Sequence, residues 1–251
     1  MNLNYWQRVG NQYEDEIFAS SLADTTGVIR RRLDELANRR ATAVDFGCGV
    51  GHYLPLLASR FRKVHGFDFA DSLLDQARER TRGLSNVEVE RANLASARTR
   101  LPVSNVKVGV CANVLISQDA AIRRGVLRAI AQTLASNGQL LLLVPSLESV
   151  LYSSQMLVEW NRKLGHSEED SLASGVLPPR DVLRGLIKLD KVPTKHYLRE
   201  ELEALLGAAG FTISSCDKVE YGWETEFESP PRWMKKPGPW DWLVVARLTR
   251  R

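Results

Sequence analysis

The chain has 251 residues, of which 44% are hydrophobic and 25% charged, a composition that excludes disordered and fibrous classes. It contains no run of about 18 apolar residues, so no membrane span is expected. Its 34 basic and 30 acidic side chains leave a net charge of +4, too balanced to announce a nucleic-acid face. The opening MNLNYWQRVGNQYEDE lacks the apolar core of a signal peptide. Cys48, Cys111 and Cys216 are few and far apart. They read as free thiols in a reducing, cytoplasmic setting, with no metal-ligand spacing and no metal expected.

In chain order, β-rich apolar runs fall at 42–47, 63–69, 86–92, 106–113 and 139–145. Helical patterns occupy 52–60, 71–82 and 120–135; in the last, Ile122, Val126, Leu127, Ile130 and Leu134 form one stripe. Asp71 and Asp119 are placed to cap two of these helices, and Asn137-Gly138 to stop the third. Strands separated by helices pair in parallel through right-handed crossovers, which predicts an α/β fold with a doubly wound sheet. The segment from Ser146 to His196 breaks this rhythm. It offers a helix near 147–164, a polar link GHSEEDSLASG, and a short amphipathic helix opened by Pro178-Pro179 that carries Val182, Leu183, Leu186 and Ile187. Seven basic and seven acidic residues alternate between 147 and 196, which favours solvated faces over a polyanion site. A helix REELEALLGAAG ending at Gly210 follows. Two last strands, FTISSCDKVEYGW and WDWLVVARL, are joined by a loop without a helix and predict an antiparallel hairpin, seven strands in all.

The stretch AVDFGCGVGHYL, Ala43 to Leu54, holds glycines at 47, 49 and 51 directly after the first strand. Ligands of open α/β sheets bind where strands end and strand order reverses, and glycine lets a ligand approach main chain. A tight turn with no ligand is the bland alternative. A dinucleotide turn reads G-x-G-x-x-G, and here the third glycine is out of that register. Asp45 would also set negative charge near a pyrophosphate, whereas it suits a ligand with a cationic part.

These residues resemble the class I S-adenosylmethionine-dependent methyltransferases. VDFGCGVG is similar to the family's first motif, which wraps the amino-acid portion of the cofactor; Asp45, Gly47, Cys48 and Gly49 are the matching positions. GFDFADSLLDQAR resembles the second strand, so Asp68 would hold the ribose hydroxyls and Phe69 flank the adenine. RANL corresponds to the third-strand end, with Asn93 where an acid often meets the adenine amino group, and Leu94 beside it. VCANVLIS resembles the fourth-strand motif, whose backbone at Ala112 and Asn113 would meet the methionyl part. The resemblance implies a Rossmann-like methyltransferase fold with S-adenosyl-L-methionine as cofactor and S-adenosyl-L-homocysteine as product. It further implies a helical cap over 1–40, a cofactor core over 41–145, a helical lid over 146–196 and a closing helix and hairpin over 197–251.

Methyl transfer from a sulfonium needs alignment more than acid–base chemistry, and a general base only where the acceptor must lose a proton. Relatives often carry a His after the fourth strand; Ser117 stands there instead. His196 is the candidate acid/base, Tyr197 lies next to it at the rim, His52 is expected near the cofactor or in a structural role, and His166 in solvent. Aromatic residues suit a small-molecule pocket: Trp223, Phe227, Trp233 and Trp240 in the closing loop, Tyr152, Met156 and Trp160 in the insertion, and Tyr5, Trp6 and Tyr13 at the N-terminus. Anchoring of loops to the core is the alternative for each. The expected activity is methylation of an O, N or S atom of a small molecule by a monomer or homodimer. Methylation of RNA or protein, and a non-catalytic cofactor-binding module, remain the alternatives.

Overall fold

The computed structural model describes residues 20–189 and 192–249; Tyr5, Trp6, Tyr13 and the rest of residues 1–19 of the expected N-terminal cap lie outside them. Two helices, α1 (Ser20–Ala23) and α2 (Val28–Leu36), lead into β1 (Asn38–Phe46). Then come α3 (Leu54–Ala58), β2 (Phe61–Asp68), α4 (Asp71–Arg80), β3 (Val87–Arg91), β4 (Val106–Ala112), α5 (Ala120–Thr133) and β5 (Leu134–Pro145). The insertion comprises α6 (Leu147–Lys163), α7 (Glu168–Ser174), α8 (Pro179–Val182), β6 (Leu186–Leu189) and β7 (Val192–Lys195). Helix α9 (Arg199–Ala208) and strands β8 (Phe211–Glu220) and β9 (Trp240–Leu248) close the chain.

Strand alternation explains the layers. Val44 and Phe46 of β1 and Leu140, Leu142 and Val144 of β5 join α5 and α9 on one face of the sheet. Ala43, Leu141 and Leu143 pack with α2, α3 and α4 on the other. Both faces are therefore covered, as a parallel sheet requires. The seven-stranded order is β3-β2-β1-β4-β5-β9-β8, with β9 antiparallel to both neighbours. The doubly wound sheet and terminal hairpin are thus as expected, and strand order reverses between β1 and β4. Among the described residues no helix is long and apolar enough to cross a membrane.

Several local expectations are corrected. Asp119 caps α5 through Ala121 N at 2.7 Å, but the residue preceding α4 is Ala70, and Asp71 lies inside the first turn. The amphipathic helix after Pro179 stops at Val182, and Leu186 and Ile187 belong to a hairpin of β6 and β7. Gly185 turns the chain there at φ 64°, with His196 N donating to its carbonyl at 2.7 Å. A Cβ at Gly185 would overlap the His196 carbonyl, so the close approach admits only glycine. The connection from β3 to β4, residues 92–105, carries no helix. The two ends of the insertion meet: Leu147 N donates to Tyr197 O at 3.0 Å and Tyr197 N to Pro145 O at 2.9 Å.

Candidate functional site

The C-terminal ends of β1, β2 and β4 converge on the glycine turn. Gly47, Gly49 and Gly51 have φ of 79°, 53° and 85°, a path through the left-handed region that side-chain-bearing residues adopt only at a cost of roughly 1–2 kcal/mol each. Protein neighbours also crowd two of them. A Cβ on Gly47 would overlap Val114, just beyond β4, and one on Gly51 would lie 3.1 Å from Ala77 of α4. Close packing of this turn against β4 and α4 therefore demands glycine there, whatever lies above it.

Asp68 ties the turn to β2. Its Oδ2 accepts from Gly49 N at 3.0 Å, and its Oδ1 from Phe69 N at 2.7 Å and Ala70 N at 3.0 Å. Thus Asp68, rather than Asp71, receives the backbone donors ahead of α4. A carboxylate offers about four acceptor positions, so Oδ2 keeps capacity for a ligand hydroxyl. Phe69 is half-buried beside it.

Asp45 is the contrasting acid. It is 1% exposed, and its Oδ2 is buried without a hydrogen-bond partner. Burial, together with the charge of Asp68, pushes its pKa up to about 8, so near neutrality Asp45 holds a proton. Asp68 is also raised by burial, but its three N–H donors oppose the shift; it is the charged member of the two. The Asn113 Oδ1 is a second buried acceptor without a partner, carried at φ 56° just past Ala112. Two unmet acceptors flanking a glycine turn complement an ammonium, which has donors and no acceptor. The residues present therefore fit the amino-acid end of S-adenosylmethionine.

The remaining expected residues divide by which of their atoms face outward. Cys48 and Leu94 are 7% and 5% exposed; Cys48 sits 3.1 Å from where a Cβ on Gly66 would be, and Leu94 joins the core beneath α5. Their side chains pack inward, leaving only main chain for a ligand. Burial holds the Cys48 thiol well above its ordinary pKa, so it is not a nucleophile. Asn93 is exposed, and its Oδ1 accepts from Ala95 N at 3.1 Å. Its amide NH2 then points the recognition toward a ring-nitrogen acceptor rather than toward an amino group. His52 meets Arg80 at Nδ1, 2.9 Å away, and His166 is exposed.

His196 is 4% exposed, with Nδ1 3.0 Å from the Thr194 carbonyl, to which it donates. Burial pushes its pKa down to about 4. Such burial weighs against the expected role of general base, since a group this weakly basic accepts a proton poorly at neutral pH. Tyr197 beside it is fully buried, donating to Leu115 O at 2.6 Å; the pair locks the insertion to the β4 loop.

The aromatic residues of the insertion and closing loop form one chain of contacts. Tyr152 lies 5.6 Å from Trp223 and 5.9 Å from Trp240, and Phe227 lies 5.7 Å from Trp223 and 5.9 Å from Trp160. Trp223 and Trp240 are buried, while Trp233 is exposed and stacks under Lys163. The rings thus bind the loop to α6. Sequence reasoning missed two acids in this joint. Asp241 accepts from Tyr221 Oη at 2.9 Å, and burial raises its pKa to about 7; burial likewise raises Glu226. The signal was an acid between two tryptophans at a strand start. The buried Tyr53 phenol, just after the glycine turn, feels the charges of both Asp45 and Asp241, which sets the joint beside the turn.

Residues 43–138 match the family model for a methyltransferase domain. No curated protein matches the sequence. Among solved structures, an S-adenosylmethionine-dependent methyltransferase from Methanosarcina mazei has 17% identity and a TM-score of 0.60, covering 91% of this chain and 100% of its own. DhpI in complex with SAH has 15% identity and a TM-score of 0.61, covering 99% and 96%. A methyltransferase in complex with the Haloferax volcanii Trm112 methyltransferase activator has 14% identity and a TM-score of 0.62, covering 98% of each chain. At such identities the likeness of these three speaks for the fold.

A test of the buried acid follows from linkage. An unfolded Asp ionises near pH 4, whereas Asp45 keeps its proton up to about pH 8, so its contribution to stability is full below pH 4 and lost as pH rises to 8. In Asp45→Asn that loss is absent. Denaturant unfolding of the ligand-free proteins should show wild type losing on the order of a few kcal/mol more than the variant between pH 5 and pH 8; parallel pH profiles would refute the buried, protonated state.

Proposed function

We propose that this chain, whose residues 43–138 match a methyltransferase-domain model, is a class I S-adenosylmethionine-dependent methyltransferase whose acceptor is a small molecule, methylated on O, N or S at the C-terminal rim beside the glycine turn. The observation that carries this reading is the character of the rim. Loop residues 221–240 carry three acids, Glu224, Glu226 and Glu228, followed by three bases, Arg232, Lys235 and Lys236, and Asp241, half-buried at the loop's end, has its pKa raised by burial. A mixed, partly acidic surface disfavours a polyanion and suits a compact acceptor with a polar group.

The cofactor, when bound, supplies an electrophilic methyl group on a sulfonium. The chain's own residues supply position. Asp68 would accept the ribose hydroxyls while its backbone partners keep it rigid, Asp45 with Asn113 would hold the ammonium, the Asp45 proton passing to solvent, and the Asn93 amide would donate to the adenine ring. Alignment of this kind can lower a barrier by roughly 7–11 kcal/mol in favourable cases. Where the acceptor is an alcohol or phenol, Asp241 is the base, because its pKa of about 7 matches the working pH; Tyr221 holds it in place.

Calorimetric titration with S-adenosylmethionine at pH 7 in buffers of different ionisation enthalpy should show proton release that disappears in Asp45→Asn. Equal heats in all buffers would remove Asp45 from the ammonium site. Radiolabelled methyl incubated with a cell extract should enter the small-molecule fraction; label confined to RNA or protein would overturn the acceptor class. Once an acceptor is in hand, Asp241→Asn should lower kcat about 100-fold, abolish the inflection near pH 7 in the kcat profile and leave cofactor affinity unchanged. Wild-type turnover in that variant would dismiss it as the base.

A further inference from the structure

Strands β2 and β3 carry a second cluster, on the sheet face beneath the helix-free connection 92–105. His65 of β2 pairs in register with Glu88 of β3, and Phe67 with Glu90, so all four side chains project to one face. The imidazole is 5% exposed, lies 6.2 Å from the Phe67 ring in a stacked arrangement, and its Nδ1 is buried with no hydrogen-bond partner. That atom points between two carboxylates: Glu88 Oε2 at 3.3 Å and Glu90 Oε1 at 3.9 Å. One donor atom from each of the three residues lies within 4.8 Å of the others.

We propose that His65, Glu88 and Glu90 bind one divalent transition-metal ion, zinc being the best match, which clips the edge strand β3 to β2. Donors held by one ion at about 2.0–2.2 Å stand about 3.0–3.5 Å apart at octahedral or tetrahedral angles; the Glu88 spacing of 3.3 Å falls in that range, and the exposed Glu90 side chain at 3.9 Å would move inward to join it. One imidazole nitrogen with two carboxylate oxygens selects zinc or its neighbours over magnesium or calcium, which prefer all-oxygen sets. A buried imidazole nitrogen without a partner is destabilising, and an ion would satisfy it. An ordinary His–Glu ion pair explains the cluster less well, because the Nδ1 to Oε2 contact lacks hydrogen-bond geometry. Lys63 Nζ holds Glu88 Oε1 at 2.8 Å, leaving Oε2 free to ligate. The location gives the ion a purpose. Among the described residues β3 is the edge strand of the sheet, and the connection 92–105 that follows its Glu88 and Glu90 carries no helix.

The test is zinc titration of the untagged, chelator-treated full chain, followed by calorimetry and thermal unfolding. One equivalent should bind and raise Tm. Glu90→Gln and Glu88→Gln, both at exposed positions that leave the core intact, should each weaken binding roughly tenfold or more and remove the Tm gain; His65→Gln should do the same if it folds. Cobalt substitution should give weak visible bands without thiolate charge transfer. Absence of binding at millimolar zinc, affinity unchanged in both Glu variants, or a thiolate band from a cysteine site would each overturn the proposal.

Discussion

The hydrogen bond from Gly49 N to Asp68 Oδ2, 3.0 Å long, is the contact on which the rest of the crevice depends. It joins the turn after β1 to the end of β2, so that two strand ends and one helix entry move as a unit. The same carboxylate receives Phe69 and Ala70 N–H groups. With three donors around it, Asp68 can stay charged in a buried place, where an unpaired carboxylate would be neutralised.

That arrangement decides the state of its neighbour. Two buried carboxylates on adjacent strands do not both ionise without compensation. Because Asp68 takes the backbone donors, Asp45 is left with an unmet oxygen and holds its proton. Such a group is destabilising in isolation. It makes sense as an acceptor kept ready for a cation, with Asn113 alongside. The crevice therefore trades stability for recognition, as functional sites commonly do.

The rim follows another logic. The insertion's two ends are laced together at Pro145, Leu147 and Tyr197, and its long helix is anchored by Trp240 N to Ser149 Oγ at 2.7 Å and Trp242 Nε1 to Glu148 Oε2 at 3.1 Å. Aromatic contacts extend that anchoring to Phe227. The tryptophans serve first as packing that brings Asp241, half-buried, into the joint. Burial there then moves Asp241 into the pH range where a base is useful.

What the sequence by itself determined was local and periodic. Alternating apolar runs announced the strands, the spacing of Val126, Leu127 and Ile130 announced α5, and the glycines at 47, 49 and 51 with Asp68 marked where a ligand of this fold would lie. Such signals rest on interactions within a few residues, or on patterns that any buried strand must show. Only the tertiary structure decided the rest. The fate of Leu186 and Ile187 turned on a glycine pressed against a carbonyl eleven residues away in sequence, a contact without local signature. Burial by distant segments lowers the pKa of His196 and raises those of Asp45 and Asp241. Side-chain identity sets a group's ordinary pKa, whereas the number of water molecules and donors left around it after folding sets its working one.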